Sequence, residues 1–187
     1  MPKAEMFDRN EVIKKATNLF WVKGYQATSL NDLTQELGIG KGSFYNSFGS
    51  KRKLFNSCLL VYREGGISVI EQVLNSENDP ILGIRKFLEF QAENLLLDPF
   101  AKGCLIANTT AEMAHDKEIL NFLIENNEIL KSKIADYLSS SYLSDQAEAI
   151  ADAILIYTTG VSIISKFIKD PERLRASNEV FLKSLMC

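Results

Sequence analysis

The chain has 187 residues, of which 46% are hydrophobic and 24% charged, so it has the composition of a soluble protein with one large or two smaller domains. Its three cysteines (Cys58, Cys104 and Cys187) are widely spaced and odd in number, which argues against a disulfide framework and favours reduced thiols. No run of about 18 uncharged apolar residues and no apolar N-terminal stretch suited to secretion is present. We therefore expect a cytoplasmic protein without a membrane span.

The net charge of −3 is unevenly distributed along the chain. Residues 1–55 contain nine Lys or Arg and five Asp or Glu, a net of +4. The remaining 12 Lys or Arg and 19 Asp or Glu give −7. A basic N-terminal part on an acidic remainder suits a surface that meets phosphate, although a charged block can also be a solvated face.

Helical periodicity runs through almost the whole chain, and local capping signals mark where helices begin. Asp8 predicts the start of a first helix over residues 8–23, which Gly24 ends. A second helix follows, with Thr28 or Ser29 as its N-cap.

The next two helices are also bounded by glycine and serine. Gly38 predicts a turn into a third helix over 41–48, only about two turns long. Ser50 then predicts the cap of a long fourth helix over 51–74, which Gly65-Gly66 is expected either to bend or to break.

Five further helices are predicted after these, and two of them open with an Asp-Pro pair, which places proline at the first helical position. Their predicted bounds are 80–97, 103–114, 117–140, 145–169 and 171–185. No strand pattern appears, so we predict an all-α fold of about nine helices. We divide it into an N-terminal domain over 1–55 and a C-terminal domain over 56–187.

The second and third predicted helices have the pattern of a helix-turn-helix, in which the N-terminal residues of one helix meet base edges in the DNA major groove. Phe44 and Phe48 face inward on the third helix, which leaves a short polar face outward. The candidate DNA contacts are Lys41, Gly42, Ser43, Tyr45 and Asn46 on that helix, Thr28, Ser29 and Asn31 at the second, and Lys51 at the fourth.

The stretch GYQATSLNDLTQELGIGKGSFYNSFGSKRKLF, over residues 24–55, resembles the N-terminal helix-turn-helix of the TetR family of transcriptional repressors. The resemblance covers about residues 12–55, and the chain length and helical remainder agree with it. It implies a homodimer paired through the eighth and ninth helices, a palindromic DNA operator, and a small-molecule ligand that releases the protein from DNA.

A dimer is also expected on physical grounds, because one short reading helix buries too little surface for high specificity and two-fold symmetry doubles it. Small residues on the eighth helix suit close helix approach: Ala151, Thr158, Ser162 and Ser165. The ninth helix offers the apolar residues Leu174, Val180, Phe181, Leu185 and Met186. Helix faces of this kind form the core of a monomer as often as a dimer interface. The prediction of a dimer through these two helices therefore depends on the resemblance to the TetR family.

The segment beginning Lys102-Gly103-Cys104 resembles the start of the sixth helix in a TetR subgroup, some members of which sense electrophiles or oxidants through a cysteine at this point. The same subgroup can carry a lysine where Lys166 stands. A thiol at a helix N-terminus near a lysine is expected to be reactive. The alternative is that Cys104 is an ordinary small core residue.

A second interpretation of the C-terminal domain is an apolar pocket between the fifth, sixth, seventh and eighth helices that binds a small organic inducer. Its candidate lining is Phe87, Phe90, Met113, Phe122 and Tyr157, all of which are equally compatible with plain core.

The residue pattern favours one of three classes of function. We expect a ligand-responsive repressor in which the fourth helix links ligand to DNA. The alternative is an architectural DNA-binding protein or activator with no inducer. An enzyme is disfavoured because the single histidine, His115, rules out His-based triads and multi-His metal sites. No cofactor or metal is expected.

Overall fold

The computed structural model describes residues 7–142 and 144–185, and that part of the chain is helical, with no strand. Nine α-helices lie within it: α1 (Arg9–Lys23), α2 (Leu30–Leu37), α3 (Lys41–Phe48), α4 (Lys51–Leu74), α5 (Pro80–Leu97), α6 (Leu105–Met113), α7 (Lys117–Leu138), α8 (Ser144–Ile164) and α9 (Pro171–Leu185). The predicted all-α fold is confirmed.

Side-chain caps begin the helices where the sequence placed them. Asp8 accepts hydrogen bonds from the amides of Asn10 and Glu11. Asp79 does the same for Ile81 and Leu82 at the start of α5, with proline at the first helical position. These caps satisfy amides that have no partner within the helix, so they fix the helix starts locally.

Three helix boundaries differ from the prediction by two residues or more. Helix α6 begins at Leu105 instead of 103, and α7 ends at Leu138. Helix α8 ends at Ile164, before the predicted 169, because the amides of Lys166 and Phe167 donate to carbonyls three residues back instead of four. This tighter turn ends the α-helix although no proline or glycine marks the position.

The chain divides into two compact units between Glu64 and Gly65, later in the sequence than the predicted domain boundary after Phe55. Helix α4 is nevertheless continuous through this point, so Gly65-Gly66 does not break it. A β-carbon built on either glycine meets no atom within 4 Å. The unit boundary therefore falls where helix α4 has its lowest intrinsic helix propensity.

The first unit is organised around aromatic side chains. Phe20 and Phe55 pack edge to face with ring centroids 5.0 Å apart, and Phe44 is fully buried. Cys58 is buried in the same core, and its thiol donates to the carbonyl of Ile13 at 3.7 Å. Burial raises the pKa of Cys58 to about 12, which keeps it an unreactive thiol at neutral pH.

The second unit is built on close packing of α7 with α8 and of α5 with α9. A larger apolar cluster lies in its core: Leu74, Ile84, Phe87, Leu88, Ile134, Ala135, Leu138, Ala147, Ala151, Ile154 and Leu182. The Tyr137 hydroxyl donates to the carbonyls of Glu77 and Asp79, at 3.2 and 3.3 Å, which ties α7 to the turn before α5.

Helix α8 has one face buried within its own chain and one exposed. The small residues predicted for close approach of a second chain (Ala151, Thr158, Ser162 and Ser165) are all buried within the protomer, which contradicts that prediction. The exposed face instead carries Ile156, which is 74% exposed, together with Gly160 and Ile163. On α9, Leu174 is buried and Val180 is 71% exposed. Met186 lies outside the described residues.

By length and composition, α8 could cross a membrane, which the sequence analysis did not anticipate. One-third of its apolar window is buried inside the protein. Thr158 and Ser162 on its packed side, and Ser165 directly after its last residue, are buried, and their hydroxyls donate to backbone carbonyls of α8. This is the composition of a core helix that also presents an apolar surface.

Candidate nucleic-acid interface

The second and third helices of the first unit meet at a glycine turn, as predicted. Gly38 follows α2 with a left-handed backbone, φ +65°, which favours glycine. At the other end of α2, Ser29 is the N-cap and forms a capping box with Asp32, in which the Asp32 amide donates to Ser29 Oγ at 3.1 Å and the Ser29 amide donates to Asp32 Oδ2 at 2.7 Å. The start of α2 is thus fixed without any partner from outside.

Asp32 also receives the Lys23 ammonium, with Nζ 2.7 Å from Oδ1. This bond from Lys23, followed by the bonds from Ser29, lowers the pKa of the Asp32 carboxyl far below its usual range. The carboxylate therefore links the last turn of α1 to the first turn of α2.

Thr28 does not occupy the position predicted for a phosphate contact. Its side chain is fully buried, and its hydroxyl donates to the carbonyl of Gly24 at 2.6 Å. The structure therefore corrects the prediction: Thr28 closes the turn between α1 and α2 and is not accessible to a ligand. Ser29 and Asn31, the other two predicted residues here, are exposed.

Helix α3 presents two different faces. Phe44 and Phe48 are buried, whereas the predicted contacts on this helix are exposed: Lys41, Gly42, Ser43, Tyr45 and Asn46. The Tyr45 side chain is 52% exposed, and its ring leans edge-on against Phe44 with centroids 5.6 Å apart. The helix thus holds one aromatic ring on the surface with its hydroxyl available.

The N-terminus of α3 has no side-chain cap, because its N-cap residue is Gly40. A β-carbon on Gly40 or Gly42 would meet nothing within 4 Å, so packing within the chain does not require either glycine. Uncapped amides at a helix N-terminus favour an anion.

Two cationic side chains are held by aromatic rings, which the sequence analysis did not identify. Lys51 Nζ lies 4.3 Å from the centroid of the Tyr25 ring, at the start of α4. Arg9 lies over the Phe48 ring at 5.0 Å and donates to the carbonyl of Ser47 at 3.0 Å. The contact between Lys51 and Tyr25 has one signal in the sequence: Tyr25 is an aromatic residue directly after Gly24, the glycine that ends α1.

Both predicted sensor residues lie in the second unit, where Lys166 packs against Gly103, the residue before Cys104. Cys104 is the N-cap residue of α6, partly exposed, with no side-chain cap bond, and it forms no disulfide. The preceding Gly103 packs against the stem of Lys166, since a β-carbon there would lie 3.0 Å from Lys166 Cε. Cys187 lies outside the described residues.

The five predicted pocket residues have different surroundings in the structure. Phe87 and Met113 are core residues, and Phe122 is partly buried. Tyr157 stacks on Phe181 with centroids 4.1 Å apart. Phe90 is exposed and lines an open groove between α4 and α5. The shared pocket lined by these five residues therefore stays a prediction.

Over the described residues, no group of three or more His, Cys, Asp or Glu side chains is arranged to hold a metal.

Two family profiles match the chain over different parts. Residues 12–58 match "Bacterial regulatory proteins, tetR family", and residues 80–180 match "Transcriptional regulator LmrA/YxaF-like, C-terminal domain". The first contains α2 and α3, and the second covers most of the second unit.

Two curated transcriptional regulators are similar in sequence to this chain. The uncharacterized HTH-type transcriptional regulator YezE of Bacillus subtilis (strain 168) is 30% identical over 99% of this chain and 100% of its own. The HTH-type transcriptional repressor ComR of Escherichia coli (strain K12) is 28% identical over 72% of this chain and 65% of its own.

Solved structures share the fold. A cysteine-substituted variant of the TetR family transcriptional regulator CifR, complexed with 26-base-pair double-strand operator DNA, matches with a TM-score of 0.85 and 25% identity over 98% of this chain and 99% of its own. A TetR family regulator from Agrobacterium tumefaciens has a TM-score of 0.81 at 19% identity, over 94% and 95% of the two chains. The chain described here belongs to the TetR family of transcriptional regulators.

Proposed function

We propose that this protein is a cytoplasmic transcriptional repressor that binds a palindromic DNA operator as a homodimer and leaves it when a small organic inducer binds or a cysteine is modified. The observation that carries the DNA-binding part is the outer face of α3, which is wholly polar and exposed above the buried Phe44 and Phe48. The operator-bound CifR structure, with the same fold, supports it.

On this proposal α3 lies in the major groove with its N-terminal residues against the DNA. Lys41 and the uncapped amides at the start of α3 meet phosphate or guanine acceptors, and Gly42 lets the backbone approach the sugar-phosphate chain. Tyr45 and Asn46 supply hydrogen bonds to phosphate or base edges. Ser29, Asn31, Ser43 and Lys51 complete the contacts. We leave Thr28 out of this set because it is buried.

The dimer is proposed to form through the exposed faces of α8 and α9. Ile156, Gly160 and Ile163 recur at spacings of four and three and so lie on one side of α8. Gly160 has open space around it, which allows close approach of a second helix. Val180 adds an apolar side chain from α9. Exposed apolar groups on two adjacent elements are typical of an interface.

Release is proposed to be controlled by residues 56–187, with residues 1–55 reading DNA. Two routes remain, and each has support. The cavity between α5 and α9 described below offers a site for a small organic inducer. Cys104 is partly exposed at the N-terminus of α6, and Lys166 packs against the preceding Gly103, which suits modification of the thiol by an electrophile.

The decisive experiment is selection of bound DNA from a random pool with the purified full-length protein. We expect a palindrome whose half-sites are separated by about one helical turn, ~10 base pairs, or a multiple of it. An enriched single half-site, or no enrichment, contradicts the dimeric operator. Repression of a reporter placed behind the selected sequence then separates a repressor from an activator or architectural protein.

The cysteine route is tested on the same operator with N-ethylmaleimide as the electrophile. We expect it to release wild-type protein but not Cys104→Ser, whereas Cys58→Ser behaves as wild type because Cys58 is buried. If the electrophile still releases the Cys104→Ser variant from the operator, the cysteine route is wrong, and binding of a small organic inducer is the remaining route.

A further inference from the structure

The second unit contains a cavity of about 300 Å³ between α5 and α9. Its apolar surface comes from Ala92, Leu96 and Leu182, of which Ala92 and Leu182 are buried. None of the five residues predicted to line a pocket contributes to it. The cavity has the size and apolar lining of a small-molecule site.

The cavity wall includes Asn178, which is only 4% exposed. Its Oδ1 accepts a hydrogen bond from the Tyr157 hydroxyl at 2.7 Å, but its Nδ2 is buried without any partner. Buried amide donors are normally satisfied, and an exception calls for an explanation. Because Nδ2 has almost no accessible surface, an acceptor oxygen of a ligand in the cavity would satisfy it once a neighbouring side chain of the cavity wall shifts.

The Asn178 amide is also held in place. Tyr157 is stacked almost parallel on Phe181, with an interplanar angle of 3°. The hydroxyl that bonds Oδ1 is therefore fixed, and with it the direction of the unpartnered Nδ2. Such an anchored polar group is suited to orienting a ligand.

The rim of the cavity carries uncompensated negative charge. Glu89 and Glu93 are exposed one turn apart on α5, and the described residues offer neither of them a salt bridge. The other charges at the rim are paired: Glu179 with Arg85, and Arg175 with Glu172 at 2.8 Å. Like charges four residues apart repel each other, so a cation here would relieve the repulsion.

We propose that this cavity binds a small organic cation, with its apolar body between α5 and α9, its protonated amine near Glu89 and Glu93, and an acceptor oxygen on Asn178 Nδ2. The cavity stays open in the proposed dimer, because Val180 is two residues, or about 200°, further around α9 than Asn178. Binding of the cation does not depend on the proposed function; only its role as the inducer rests on that proposal.

The test uses 4-acetylbenzylamine, which combines an amine, an apolar ring and a ketone, added to the full-length protein. Binding is followed by calorimetry and by the Asn178 side-chain amide signal in ¹H–¹⁵N spectra. We expect saturable binding with a Kd on the order of 1 mM or tighter. Without the ketone, 4-ethylbenzylamine should bind more weakly and leave the Asn178 signal unshifted, and the anion 4-acetylbenzoate should not bind.

Glu89→Gln/Glu93→Gln, two exposed substitutions, should weaken binding of the amine roughly fivefold at low salt. Glu125→Gln/Glu128→Gln on α7 removes the same charge away from the cavity and should not weaken it. The inference is overturned if 4-acetylbenzylamine does not saturate, if the anion binds equally well, or if the Asn178 signal does not respond. Operator binding without any probe tests the proposed function alone, so the two failures are distinguishable.

Discussion

The backbone of Gly103 lies against the carbonyl oxygen of Ser162: a β-carbon on Gly103 would come within 2.8 Å of it. Gly103 also has a left-handed backbone, φ +69°, which side chains other than that of glycine rarely adopt. The chain before α6 is therefore docked directly onto the last turn of α8, one residue before Cys104.

We expect Gly103→Ala to lower the free energy of unfolding by about 1–3 kcal/mol, because backbone strain and overpacking act together. Denaturant unfolding followed by circular dichroism measures this. Gly66→Ala is the matched control, since a β-carbon there meets no atom within 4 Å inside a helix. It should stabilise the protein by up to about 1 kcal/mol. Equal effects of the two variants contradict the close approach at Gly103.

Tyr45→Phe should weaken operator binding roughly thirtyfold, because it removes one hydroxyl bond of about 1 kcal/mol from each protomer of a dimer. The free energy of unfolding should stay within about 0.5 kcal/mol of wild type, since the side chain is 52% exposed. Binding is measured by fluorescence anisotropy on the selected operator. Unchanged affinity removes Tyr45 from the proposed interface.

Lys41→Ala should instead change the salt dependence of binding. Losing one phosphate contact per protomer lowers the slope of log affinity against log salt by about 0.9 for each protomer. Lys117→Ala, an exposed lysine of the second unit, provides the control for loss of charge alone. A slope that falls equally in both variants contradicts a direct phosphate contact by Lys41.

Asp32 should make the stability of the first unit depend on acid. Its folded-state pKa is lowered by Lys23 and Ser29, so its contribution is fully present above the unfolded pKa of about 3.9. That contribution is lost as the pH falls further, through the folded-state pKa.

Asp32→Asn is therefore expected to destabilise the protein at pH 7 and pH 5 by the same amount, and by progressively less below about pH 4. Unfolding titrations across this range measure the difference. Ser29→Ala removes the other half of the capping box and should cost about 1 kcal/mol at pH 7. Because Ser29 also donates to Asp32 and lowers its pKa, this cost should shrink below about pH 4 as well, by a smaller amount than that of Asp32→Asn. A wild-type minus Asp32→Asn difference that grows on acidification would contradict the assigned direction.

Ile156→Glu should convert the proposed dimer to a monomer, because a charge would be placed in the centre of the apolar face of α8. The residue is 74% exposed in the protomer, so folding should not suffer. Sedimentation velocity gives the oligomeric state. Ile124→Glu on α7, 53% exposed, is the control and should stay dimeric. A dimeric Ile156→Glu would place the interface elsewhere.

The sequence alone determined where most helices begin and what the first unit resembles. Caps such as Asp8, Ser29 with Asp32, and Asp79-Pro80 act within about four residues, so their effect can be read from neighbouring positions. The left-handed Gly38 turn is local in the same way. For this reason α1 to α5 follow the predicted bounds closely.

Tertiary structure decided which side of each helix is buried and which is exposed. Thr28 and Ser162 are polar residues that only the packing of other elements places inside, and Gly103 is required by a carbonyl almost 60 positions away in sequence. The cavity with Asn178 likewise depends on how α5 meets α9. Helical periodicity gives the angular spacing of side chains around an axis, but burial depends on which other helix covers each side, and that is set by contacts between distant parts of the chain.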